Sequence, residues 1–258
     1  TNKAANEMRD RLDQLLDGAA RSLTIGTFHA VCCRILRADG QAVGLTHGFV
    51  VYDDDDQVNL IKQSLLELQL DPKTYSPRLI QSSISAAKSR LLSEQHHAEG
   101  VDSYFEEIVQ RVYQRYQALL SQSDAVDFDD ILLKTVRLFE SHPEVLERYR
   151  ARYRHLLVDE FQDTNLAQFE LVRLLAAEHR NVCVVGDPDQ SIYSWRSADP
   201  RNLLSFEREF PEAKVVLLEQ NYRSTKTILK AAMQVISGNP LRKEMELWTE
   251  NDTGKPVV

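Results

Sequence analysis

The chain has 258 residues, 43% of them hydrophobic and 27% charged, and a formal net charge of −8. Those values fit an ordinary globular chain that can bury one large core or two smaller ones, and they argue against a generally basic nucleic-acid coat, though not against a local binding groove. No run approaches the ~18 apolar residues of a membrane span, and the polar start TNKAANEMRDRL has no apolar stretch of the signal-peptide kind. Three cysteines, Cys32, Cys33 and Cys183, form no CxxC pair. A reducing, cytoplasmic setting without a membrane partner is the expectation. In chain order, residues 1–40 and 150–237 read as strand–helix units. The predicted strands are SLTIG (22–26), HLLVD (155–159), VCVVG (182–186) and KVVLL (214–218), each short and apolar as strands buried on both faces are. Val31, Ile35 and Leu36 mark one following helix, and Leu166, Phe169, Val172 and Leu175 another. Such alternation predicts a parallel sheet with crossover helices.

Residues 49–149 have a different texture, with long amphipathic helices and no strong strand. Val58, Ile61, Leu65 and Leu68 form one stripe, and Phe105, Ile108, Val112, Tyr116 and Leu119 a second. This segment reads as a helical insertion into the α/β domain. The acidic run at 53–56 is expected to cap a helix rather than bind metal, because it directly precedes an amphipathic pattern. His96 and His97 read as loop residues.

Ligands of open α/β sheets sit at the carboxyl ends of strands. Four polar stretches fall at such ends: GTFHA (26–30), DEFQDTN (159–165), GDPDQSIYSWR (186–196) and EQNYRS (219–224). Together they point to nucleotide hydrolysis. An Asp at a strand end can hold Mg²⁺ through water, and the adjacent Glu, pointing differently, can polarise an attacking water. An amide such as Gln190 can orient that water, and Arg223 can neutralise charge on a transferred phosphoryl group. The rings and guanidinium of SIYSWR suit base stacking on single strands.

Stretch by stretch, the chain resembles superfamily 1 DNA helicases of the UvrD/Rep/PcrA type. TNKAANEM, GTFHAVCCRIL, VDFDD (126–130), LLVDEFQDTNLAQ, VVGDPDQSIYSWRSAD and LLEQNYRSTKTIL follow one another in the family's order. The resemblance implies an ATP-dependent helicase that translocates 3′→5′ on single-stranded DNA and unwinds duplex, with ATP and Mg²⁺ as cofactors and repair or replication proteins as further partners. It implies Asp159 as the Mg²⁺-coordinating acid and Glu160 as the catalytic base. Gln190 would sense the γ-phosphate, Arg223 would contact it, and Tyr222 would stack near adenine. Asn2, Lys3, Thr27, His29, Phe128, Tyr193, Trp195 and Arg196 would contact DNA.

The implied fold is α/β, a RecA-like parallel sheet of the P-loop NTPase kind with a helical insertion. Residues 1–48 and 123–217 would form the first RecA-like domain, 49–122 its insertion, and 218–258 the start of a second. The phosphate loop G-x-x-x-x-G-K-[ST] is absent from the 258 residues. The family's last motifs are absent too, so the expectation is a fragment incomplete at both ends and inactive as an ATPase alone. Ser197 stands where the family usually has Gly. Two other readings share these motifs: a non-catalytic module that binds single-stranded DNA, and the helicase part of a helicase–nuclease complex.

Overall fold

Three-to-four spacing of apolar residues decides most of this architecture, because each stripe must find another to cover it. A computed structural model describes residues 2–95, 103–192, 201–238 and 245–256. Helices α1 (Asn2–Leu15) and α2 (Phe28–Asp39) precede strand β1 (Val50–Val51). Then come α3 (Asp54–Glu67), α4 (Pro77–Ser89), α5 (Tyr104–Gln122), β2 (Ala125–Val126), α6 (Phe128–Ser141) and α7 (Pro143–Arg152). The remaining elements are β3 (Leu156–Val158), α8 (Leu166–Ala176), β4 (Val182–Val184), α9 (Arg201–Glu209) and α10 (Lys226–Ile236). Two compact units result: Thr1–Leu156 with Asn165–Asn181, and Leu157–Thr164 with Val182–Val258.

The first unit contains two cores. Helices α3, α4 and α5 enclose one, built on Ile61, Leu65, Ile80, Ile84, Val112 and Tyr116. Helices α2, α6, α7 and α8 enclose the other, with Ile35, Leu36, Val136, Phe139, Leu146 and Leu171. Between them β1 and β2 pair in parallel, Val50 with Ala125 and Val51 with Val126. Ala125 belongs to the first core and its neighbour Val126 to the second, as the two-residue alternation of a strand requires. Helix starts are capped by short polar side chains. Asp53 accepts from the amides of Asp55 and Asp56, and Asp56 returns a bond to the Asp53 amide. The acidic run is thus a capping box with its charges at the positive end of α3.

Strands β3 and β4 lie side by side. The Leu156 amide bonds the Asn181 carbonyl and the Val185 amide the Val158 carbonyl, so the partners ascend together as in a parallel pair. The chain then turns through a 3₁₀ helix, Phe161–Asp163, whose Phe161 is fully buried against Phe206 of α9. Phe206 in turn stacks on Phe210 at 4.7 Å. The protein is therefore a mixed α/β chain with short parallel strands.

Two predicted strands do not form. Residues 19–22 make a 3₁₀ turn, and Leu23 is half exposed. Residues 214–218 make no ladder among the described residues, leaving Val216 and Leu218 exposed. Each run has strand composition, but a strand also needs a neighbouring edge to bond. Nor are β3 and β4 buried on both faces: Leu157 is 80% exposed and Cys183 is also exposed. Among the described residues, no helix is long and apolar enough to cross a membrane.

Candidate nucleotide and nucleic-acid sites

Asp159 and Glu160 end β3 with both side chains exposed. Glu160 adopts φ 53°, ψ 43°, the left-handed region that a non-glycine residue enters only under local constraint. Its amide donates to Asp159 Oδ1 at 3.0 Å. From Glu160 a chain of hydrogen bonds runs to the loop after β4. Gln162 Nε2 donates to Glu160 Oε2 at 2.7 Å, and Gln162 Oε1 accepts the Asp187 amide at 3.0 Å. Gln190 Nε2 then donates to Asp187 Oδ2 at 2.8 Å. The orientation of the Gln162 amide follows from its partners: a backbone N–H must meet the oxygen, so the NH₂ faces the carboxylate. Gln162 itself is 1% exposed. It sits in space left by Gly186, where a Cβ would lie 2.7 Å from Gln162 Oε1.

Negative charge gathers here. Among the described residues no ion pair reaches Asp159, Glu160, Asp163 or Asp187. Asp163 Oδ1 is buried with no hydrogen-bond partner among them. Desolvation, then the charge of Glu160, raises the Asp163 pKa. A carboxylate at a strand end is a ligand type that Mg²⁺ takes. Among the described residues no group of three or more His, Cys, Asp or Glu could hold a metal, so the ion would bring further ligands. Mg²⁺ does so, keeping waters and taking substrate phosphates alongside one or two carboxylates.

The third predicted contributor lies in the same unit. Asn221 bonds the Trp248 carbonyl through its amide, and its side chain accepts from the amides of Arg223 and Ser224 at 3.0 and 2.8 Å. This turn leaves Arg223 and Tyr222 exposed, with the Tyr222 hydroxyl donating to Gln220 Oε1 at 2.6 Å. Asp159, Glu160, Gln190, Tyr222 and Arg223 thus all belong to the second unit.

The predicted DNA residues divide differently. Thr27 caps α2 by accepting from the Ala30 amide, which places His29 in the helix's first turn. The His29 ring meets Phe128 edge-on, 6.0 Å between centroids. Burial lowers the His29 pKa, so at neutral pH the ring is an uncharged stacking and hydrogen-bonding group. Phe128 opens α6 and is 48% exposed. Asn2 and Lys3 lie exposed at the start of α1. Tyr193, Trp195, Arg196 and Ser197 fall outside the described residues. Sequence reasoning missed Gln162 and Asp187. The signal for them was a Gln two positions after the paired acids and an Asp directly after a glycine.

Comparison with known proteins shows the family. Residues 1–211 match the UvrD/REP helicase N-terminal domain. The chain is 48% identical to the ATP-dependent DNA helicase PcrA of Bacillus subtilis strain 168 over 254 residues, covering 98% of this chain and 34% of the relative. It is 46% identical to PcrA of Staphylococcus aureus strain Mu50 over 257 residues, 100% of this chain and 35% of the relative. For PcrA of Leuconostoc citreum the identity is 48% over 259 residues, 100% of this chain and 35% of the relative. The chain spans about a third of the length of these curated relatives. By its matched domain and its acid-ended strand, this chain belongs to the UvrD/REP helicase family.

Proposed function

We propose that the protein carrying this chain is an ATP-dependent DNA helicase that moves 3′→5′ along single strands and unwinds duplex. The observation that carries the reading is the unbroken set of hydrogen bonds Glu160–Gln162–Asp187–Gln190, which ties the ends of two strands to one another. Such a link lets a change at one strand end be felt at the other, as coupling of hydrolysis to movement demands. Similarity to relatives named ATP-dependent DNA helicases supports it.

Each residue has a role in this scheme. Asp159 would hold Mg²⁺, and the ion would offset phosphate charge. Glu160 takes the proton of the attacking water, with Gln162 fixing the carboxylate's direction. Gln190 faces the terminal phosphate, Arg223 stabilises charge there, and Tyr222 stacks against the base. Thr27, His29 and Phe128, with Asn2, Lys3, Tyr193, Trp195 and Arg196, hold unpaired DNA. The layout is a RecA-like domain of residues 1–48 and 123–217, a helical insertion at 49–122, and the beginning of a second such domain from 218. Repair or replication proteins are its partners.

The 258 residues hold no phosphate loop, so by themselves they bind DNA without turning over ATP. The decisive test uses the full-length protein. Glu160→Gln should lower ATP turnover by about 10²–10⁴-fold, the usual contribution of a general base, while single-stranded DNA binding stays intact. A variant that hydrolyses ATP at the parental rate would remove Glu160 from the role of base.

A further inference from the structure

Helices α4, α5 and α6 meet at a charge that water does not reach. Lys88 of α4 is fully buried, its Nζ 2.6 Å from Asp127 Oδ2 and 2.9 Å from Asp130 Oδ1. The same nitrogen donates to Gln117 Oε1 of α5 at 2.8 Å. The rings of Tyr113 and Tyr116 stand 5.7 and 5.2 Å away, and the Tyr116 hydroxyl donates to Asp127 Oδ2 at 2.9 Å. Burial alone would strip the ammonium of its proton. The carboxylates of Asp127 and Asp130 outweigh it and hold the Lys88 pKa above its ordinary value.

The two oxygens of Asp127 do different work. Oδ1 accepts the Asp130 amide at 2.8 Å and so caps α6. Oδ2 is held from the neighbouring helices by Lys88 and Tyr116. The next residue is Phe128, half exposed and edge-on to His29. The turn that presents Phe128 therefore hangs from a carboxylate gripped by α4 and α5. Buried ion clusters seldom stabilise a fold better than apolar side chains of equal volume, and their best-attested use is to fix register.

We propose that Lys88 is a positioning residue that acts through Asp127: it sets the first turn of α6 and hence the presentation of Phe128 to unpaired DNA. The proposal rests on the reading of Phe128 as a strand-contacting residue. It gives the helical insertion a direct hold on the DNA surface of the other core.

The test is a double-mutant cycle in the full-length protein. Oligonucleotide binding is followed by fluorescence anisotropy, ATPase by DNA titration, and folding by thermal melting. Phe128→Ala should weaken binding about tenfold, the order of one lost base–aromatic stack. Lys88→Met should weaken it by a similar factor and raise the DNA concentration for half-maximal ATPase alike. Its kcat at saturating DNA should stay within about twofold of the parent, since strand capture and not chemistry is altered. The double variant should bind no more weakly than Phe128→Ala alone.

Independent effects multiply, so a loss of about a hundredfold in the double variant would overturn the proposal. Parental binding by Lys88→Met would overturn it as well. Parental binding by Phe128→Ala is a separate result, obtained before any Lys88 variant is needed, and it refutes the DNA reading of this surface together with the proposal built on it. Where Lys88→Met does not fold, Tyr116→Phe removes the other donor to Asp127 Oδ2 and leaves the packing in place. It should weaken binding a few-fold in the parent and not at all in the Phe128→Ala background; equal losses in both would overturn the proposal.

Discussion

Gly186 has no side chain because Gln162 occupies the place where one would stand. A Cβ there would lie 2.7 Å from Gln162 Oε1 and 3.2 Å from the Gln162 amide. The amide is backbone and the side chain is enclosed, so neither yields easily. Gly186→Ala should push Gln162 off both Glu160 and Asp187. Displacing a positioned group by about 1 Å can cost up to about 10²-fold in rate, so kcat for ATP in the full-length protein should drop tenfold or more, with nucleotide-free DNA binding unchanged. Steady-state ATPase and anisotropy on one preparation check both halves. Asp129 supports a prediction of another kind. Burial first, then the charge of Asp127, raises its pKa from 3.8 to about 6. Between those values the native state keeps a proton that the unfolded chain has lost. The unfolded state binds fewer protons, and stability falls as pH rises through the window. Asp129→Asn carries no such proton. Its melting temperature relative to the parent should climb between about pH 4 and pH 6 and level off above, as differential scanning fluorimetry in a pH series would show. A constant difference across the series would contradict the raised pKa.

At the scale of elements, the acidic run before α3 makes a measurable claim. Asp53 accepts two amides and Asp56 returns one, so Asp53→Ala removes a complete capping box. The expected cost is about 1 kcal/mol of stability, read from urea denaturation, with no dependence on added Mg²⁺ or Ca²⁺. That role was legible in the sequence because it is local: acids next to an apolar period need nothing distant to define them. The helix stripes were legible for the same reason. Ile61, Leu65, Ile108, Val112 and Tyr116 are all buried, and only Leu166, at the exposed start of α8, falls out of its stripe. Strands were half legible. HLLVD and VCVVG found each other, whereas 22–26 and 214–218 have the same composition and no ladder, because composition does not specify an edge to pair with. Lys88 was not legible at all. A lysine in an amphipathic helix reads as surface, and the carboxylate that buries it lies 39 residues away. Gln162 escaped notice likewise, since its partner amide is 25 positions on and only folding brings the two together.

Over the whole molecule, net charge and exposed apolar surface oppose one another. Within the second unit Leu157 is 80% exposed, Leu218 74%, Val216 65% and Val185 49%. Exposed apolar side chains that adjoin one another mark contact sites or association hazards. The formal charge of −8 works the other way, keeping copies of the chain apart through mutual repulsion. That repulsion is screened once the Debye length shrinks, from about 10 Å at 0.1 M salt to about 3 Å at 1 M, whereas apolar attraction is not. The 258-residue chain should therefore bind the dye ANS and self-associate increasingly as salt is raised, in sedimentation velocity over a concentration series. Leu157→Lys should suppress both signals. It should leave the melting temperature nearly unchanged, because a side chain so far exposed contributes little packing. A chain that stays monomeric and ANS-silent at every salt concentration would mean that these side chains are covered in solution, and the exposed face of β3 would have to be given up.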